Sequence, residues 1–140
     1  MTPFEIISVV LSVLAFIISG LAVWYTRKQY LIGIKPNLWC NTLHIKQIER
    51  EVIFDLTNRE KNLCHINKVK VKSKNLIHHS DPCPWDLEQG ESMNLSFCYV
   101  GKEDINKDEY KIRIDFSDKA NNSYHGYLIK QRNGKYFFKE

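Results

Sequence analysis

Four lysines at alternate positions, Lys68, Lys70, Lys72 and Lys74, are the strongest chemical feature of the chain. On an extended strand they would share the face opposite Val69 and Val71, with ammonium groups repeating every roughly 6.5 to 7 Å. Such a row repels itself, and an anion would relieve the repulsion. With His78 and His79 at its end, one reading of the row is a site for phosphates, either of lipid headgroups or of a nucleotide. The competing reading is a solvated face whose lysines discourage edge pairing. Trp39, Trp85 and Tyr127 are of a type that stacks on bases, but seven strands need large core residues, and most of these aromatics are expected inside.

Other reactive side chains carry less. His78-His79-Ser80-Asp81-Pro82-Cys83 puts imidazole, carboxylate and thiol within six residues, yet its spacing matches no standard zinc pattern, so a proline-bounded loop without metal is expected. Cys64 and His65 would serve as nucleophile and base only if they faced each other, and adjacent strand residues point to opposite faces. Glycine-rich phosphate loops, zinc-protease and nucleophile-elbow motifs are missing from the sequence. No enzymatic activity and no cofactor are expected.

The elements that must position these residues divide the chain unequally. From Ile6 to Tyr25 no residue is charged, a length that matches roughly 30 Å of hydrocarbon. A signal peptide would start with positive charge and end at a small-residue cleavage site. This segment instead starts Met1-Thr2-Pro3-Phe4-Glu5 and ends in Trp24-Tyr25 ahead of Arg27 and Lys28. Aromatic residues followed by basic ones are the interfacial belt of a spanning helix, so one transmembrane helix is expected within residues 1–28, then a connector over 29–35. The positive flank on the C-terminal side predicts that Met1 lies outside and residues 36–140 in the cytoplasm, at the inner membrane of a bacterium. Cys40, Cys64, Cys83 and Cys98 should then stay reduced. Ser8, Ser12, Ala15, Ser19 and Ala22 follow at spacings of four and three, a small-residue seam along which such helices approach closely, so a homo-oligomer is expected.

Glu5 is the only charged residue before Arg27, so the remainder carries all 20 basic side chains against 15 acidic ones. This mild excess suits anionic lipid or a phosphorylated ligand and falls short of a dedicated duplex-DNA binder. From Pro36 the apolar period becomes two: Val52, Phe54 and Leu56; Met93, Leu95, Phe97 and Tyr99; Tyr110, Ile112, Ile114 and Phe116. Seven strands are predicted, over about 37–46, 51–57, 65–74, 91–100, 109–117, 123–131 and 135–139, with Asn133-Gly134 as a hairpin turn. The fold class is therefore mainly β, one N-terminal transmembrane helix followed by an antiparallel β-sandwich.

Pro36-Asn37-Leu38, Ile53-Phe54-Asp55-Leu56-Thr57-Asn58, Leu87-Glu88-Gln89-Gly90-Glu91-Ser92 and Ile114-Asp115-Phe116-Ser117-Asp118 resemble the strand and turn signatures of immunoglobulin-like sandwiches in small bacterial membrane-anchored proteins. A helix joined to a cytosolic β-domain is also similar to membrane effectors of anti-phage signalling, including those of type III CRISPR and related cyclic-oligonucleotide systems. That resemblance implies a sensor that binds an anionic ligand, such as a cyclic oligonucleotide, or a partner protein, and whose self-associating helices disturb the membrane. The alternative is a non-catalytic tether or accessory subunit that docks a partner protein through the sandwich.

Overall fold

The computed structural model describes residues 2–79 and 81–140, so Ser80 of the histidine-cysteine loop and Met1 lie outside the described residues. Two compact units divide between Lys35 and Pro36.

The first unit is one helix, α1 (Pro3–Ile34). Its start is built by a reciprocal cap: the Glu5 amide donates to the Thr2 hydroxyl at 3.3 Å, and the Thr2 amide donates to the Glu5 carboxylate at 2.9 Å. Pro3 fits the first turn, where no amide is needed, and Glu5 complements the positive end of the helix. The helix runs six residues past the expected boundary at 28, so the segment read as a connector is helical up to Ile34. Gly33 alone costs a helix only about 1 kcal/mol, whereas Pro36 forces Lys35 out of helical geometry and ends it. Apolar side chains are exposed on every face from Phe4 to Tyr30. The helix is long and apolar enough to cross a membrane.

Among the described residues, the second unit is a sandwich of nine antiparallel strands. One sheet has the order β1 (Leu38–Lys46), β2 (Glu51–Asn58), β6 (Ser92–Tyr99), β4 (Leu76–His78). The other has the order β5 (Trp85–Leu87), β3 (Cys64–Val71), β7 (Tyr110–Ser117), β8 (Ser123–Lys130), β9 (Tyr136–Lys139). The seven expected strands are present, and two three-residue strands, β4 and β5, are added, each too short to show a period. Alternation decides which side chains enter the core: Val52, Phe54 and Leu56 from one sheet meet Ile66, Ile112, Ile114 and Phe116 from the other, all fully buried. Tyr99 and Tyr110 close one end of this core edge to face, their ring centroids 6.0 Å apart. Gly126 is required on β8 because the Phe138 ring occupies the space a Cβ would take.

A bulge in β3 sets up the site. Ile66 pairs with Phe116 but Lys68 pairs with Asp115, so Asn67 is an extra residue, held by its side-chain Nδ2 donating to the Ser117 hydroxyl at 3.3 Å. An unbroken period of two from buried Cys64 and Ile66 would drive Lys68 and Lys70 into the core. The bulge resets the phase, turning Val69 inward and both lysines outward.

Candidate anion-binding face

The outer surface of the five-stranded sheet gathers cations from three strands, β3, β7 and β9. Cross-strand register places Lys70 opposite Arg113, Arg113 opposite Tyr127, and Tyr127 opposite Lys139, one continuous row. The next row along the strands runs Lys68, Asp115, His125, and the one on the other side Lys111, Ile129, Phe137. Lys72 joins this last row from just beyond β3, its amide donating to the Lys111 carbonyl at 2.9 Å. The face bears two acids, and each is engaged: Asp115 accepts from Arg113 at 2.9 Å, and Asp86 pairs with His65 at the sheet edge. Among the described residues, Lys68, Lys70, Lys72 and Lys111 make no ion pair.

Electrostatics register this crowding. The Lys72 ammonium is held below the usual lysine range, first by the charge of Lys70, then by partial desolvation and by Arg113, with Asp115 opposing. Arg113 is shifted the other way by its hydrogen bond to Asp115. Lys111 places its ammonium 4.5 Å from the centroid of the Tyr127 ring, and that ring meets His125 edge to face at 6.1 Å. The outer surface of the four-stranded sheet is different in kind: Lys46 is neutralised by Glu49 and Glu51, and the Thr57 and Ser92 hydroxyls bond to each other at 2.8 Å.

The expected ladder is thus shorter along its own strand and wider across the sheet. Lys68 and Lys70 stand on β3, and Lys72 follows them, but Lys74 does not. The chain turns away because the Ser73 hydroxyl accepts from the Lys111 amide at 2.7 Å and residues 74–75 form a turn. Lys74 instead lines an open cleft of about 620 Å³ at the sheet end with Asn75, Asp108, Glu109, Lys111 and Lys130. Lys130 is buried there, donating to the carbonyls of Asn106 and Asp108 at 2.8 and 2.6 Å.

His78 and His79 do not continue the lysine row, since the turn delivers His78 to β4 in the opposite sheet and His79 to the residue just after it. His78 Nε2 lies 3.0 Å from the Val69 carbonyl and its ring packs on Phe97 at 5.3 Å, while His79 Nδ1 lies 3.5 Å from the Cys98 sulfur. Asp81 accepts from the Cys83 amide at 3.1 Å. Among the described residues no three His, Cys, Asp or Glu side chains converge as metal ligands do. Cys64 faces the core, where burial first, then Asp86 and Glu140, push its thiol up to about 12. It is protonated at neutral pH and points away from His65.

The three aromatics expected mostly in the core all stand outside it, Tyr127 on the face just described. Trp39 is 47% exposed because its neighbours Leu38 and Cys40 take the inward phase, and Arg59 covers its ring at 4.2 Å. Trp85 is 51% exposed on edge strand β5. Arg113, Lys111, Tyr127 and Lys139 were invisible as partners of Lys70, since only strand pairing brings them together. The alternation of Lys111 and Arg113 with Tyr110 and Ile112 was the available signal.

On the helix, the small residues follow one face, and the hydroxyls of Ser12 and Ser19 are satisfied internally. Ser12 donates to the Ser8 carbonyl at 2.9 Å and Ser19 to the Ala15 carbonyl at 2.8 Å. Thr26 donates to the Ala22 carbonyl at 2.8 Å and extends the same spacing by one more position. Such bonds let hydroxyl side chains sit in an apolar medium. Compared with known proteins, the chain matches no family and no curated protein.

Proposed function

We propose that the chain is a single-pass membrane protein with a cytoplasmic sandwich that binds an anionic ligand non-catalytically, and that its helices self-associate through the seam from Ser8 to Ala22. The observation that carries this reading is the outer face of the five-stranded sheet, where, among the described residues, Lys68, Lys70, Lys72 and Lys111 make no ion pair. Like charges held together in this way are relieved by a polyanion. The membrane assignment is supported by the apolar length of α1 and by the Lys28 ammonium 5.2 Å from the Trp24 ring, an arrangement suited to an interface. An immunoglobulin-type sandwich is supported by the orders β1-β2-β6-β4 and β3-β7-β8, which follow the A-B-E-D and C-F-G orders of that fold. A place among membrane effectors of anti-phage signalling is one setting for such a device and rests on architecture alone.

Full-length protein in phosphatidylcholine nanodiscs should bind inorganic polyphosphate saturably, and more weakly as salt rises, because exposed charges are screened over roughly 8 Å at physiological ionic strength. Absence of binding at low salt would overturn the anion reading and leave a tether as the better account.

Orientation has its own test. Cys40 and Cys64 are buried, and burial with Asp81 nearby pushes the Cys83 thiol up to about 11, so Cys98 is the reporter to follow. An impermeant maleimide should label Cys98 in lysed cells and leave it unlabelled in intact ones. Labelling in intact cells would place the sandwich outside.

A further inference from the structure

The outer face of the five-stranded sheet is divided lengthwise. Strands β3 and β7 contribute Lys68, Lys70, Lys111 and Arg113, and Lys72 continues the line. Their neighbour β8 contributes His125, Tyr127 and Ile129, and β9 adds Phe137 opposite Ile129 and the cation Lys139 opposite Tyr127. A cationic stripe therefore lies beside an aromatic and apolar stripe, and neighbouring strands are about 4.8 Å apart. Resting on the anion-binding reading above, we propose that this face binds single-stranded nucleic acid, its phosphates following β3 and β7 and its bases laid on β8.

The division of the face selects this ligand among polyanions. A single strand carries charge along one edge and flat apolar rings along the other, and proteins that hold it combine a basic track with aromatic platforms. A bilayer surface presents headgroup charge without a parallel row of flat rings to stack on Tyr127. A duplex stacks its bases internally and offers this face phosphates and groove edges but no base plane to lie on Tyr127. Lys111 sits where the stripes meet, its ammonium 4.5 Å from the Tyr127 centroid, placed to touch a phosphate while the ring takes a base. Asp115 holds Arg113 at 2.9 Å and keeps part of the positive charge engaged.

The test uses the full chain in phosphatidylcholine nanodiscs and a fluorescent single-stranded oligoadenylate. Binding should weaken with salt, with a log–log slope of about −0.7 for each phosphate neutralised, and Lys70→Gln should flatten that slope by about 0.7. Tyr127→Leu should weaken binding about tenfold while leaving the slope unchanged, and Tyr127→Phe, which keeps the ring, should bind as the parent does. Asp115→Asn should strengthen binding by freeing Arg113. A duplex of matched length should bind more weakly at equal salt. If polyphosphate and phosphatidylserine vesicles bind through Lys70 while the oligonucleotide is indifferent to Tyr127→Leu, the nucleic-acid assignment fails and the anion reading survives. If neither polyphosphate, vesicles nor oligonucleotide bind, both fail.

Discussion

Replacing Asp118 by Ala should destabilise the sandwich by about 3 to 4 kcal/mol, through the loss of charge-assisted hydrogen bonds that are each worth about 1.5 to 3 kcal/mol but are not additive. Asp118 is buried at the turn between β7 and β8. Its carboxylate accepts from the Ala120 and Asn122 amides at 2.8 and 3.0 Å, from the Asn122 side chain at 2.9 Å and from the Tyr124 hydroxyl at 2.9 Å. This cluster fixes the turn that sets β8, and with it Tyr127, in register against β7. Burial opposes ionisation here, but the hydrogen bonds from Asn122, Tyr124 and Ala120 prevail and hold the carboxyl below the usual carboxylate range. A depressed folded value means that the contribution is complete above the unfolded value of about 3.9 and is lost as pH falls through the folded one. Urea midpoints should therefore drop below about pH 4 in the parent, and more shallowly in Asp118→Asn, which keeps one acceptor oxygen. The residual slope belongs partly to Asp108. There too burial opposes ionisation, and hydrogen bonds from Asn75 and Tyr99 hold the carboxyl low.

Reversing two charges on the cationic stripe, Lys70→Glu with Lys111→Glu, should reduce affinity for polyphosphate at least about a hundredfold, since each lysine near a polyanion contributes about 1 kcal/mol and each reversal replaces attraction with repulsion. The fold should tolerate it. Both side chains are exposed, and Lys70 is the main cause of the depressed Lys72 ammonium, so removing its charge relieves repulsion in the unliganded protein. An unchanged or raised Tm beside lost binding is the expected pair of results. A matched loss of both would mean that the lysines are structural.

Most of the fold was legible because its signals are local. Alternation in Tyr110-Ile112-Ile114-Phe116 and in Met93-Leu95-Phe97-Tyr99 gave the long strands, and an uncharged run of twenty residues gave the helix. The helix runs past its expected end because the charged pair Arg27-Lys28 does not interrupt a helical backbone, which stops only before Pro36. Strands β4 and β5 were missed because three residues carry no period, and their absence from the reading is what put His78 and His79 beside the lysines. The site was half legible. Lysine alternation is a property of one strand, but Arg113, Tyr127 and Lys139 reach Lys70 only through pairing across the sheet. The bulge at Asn67, which turns the lysines outward, has no signature of its own, although the shift in burial phase from Ile66 to Val69 is written in the apolar spacing.

Lysine footprinting of the full chain, by acylation and mass spectrometry with and without polyphosphate, tests most directly whether the outer face of the five-stranded sheet is where ligand binds. Lys68, Lys70, Lys72, Lys111 and Lys139 should lose reactivity on binding, while Lys46 on the opposite sheet and Lys61 in the loop between β2 and β3 should keep theirs. Protection spread evenly over these lysines, or falling on Lys46 and Lys61 instead, would contradict the account.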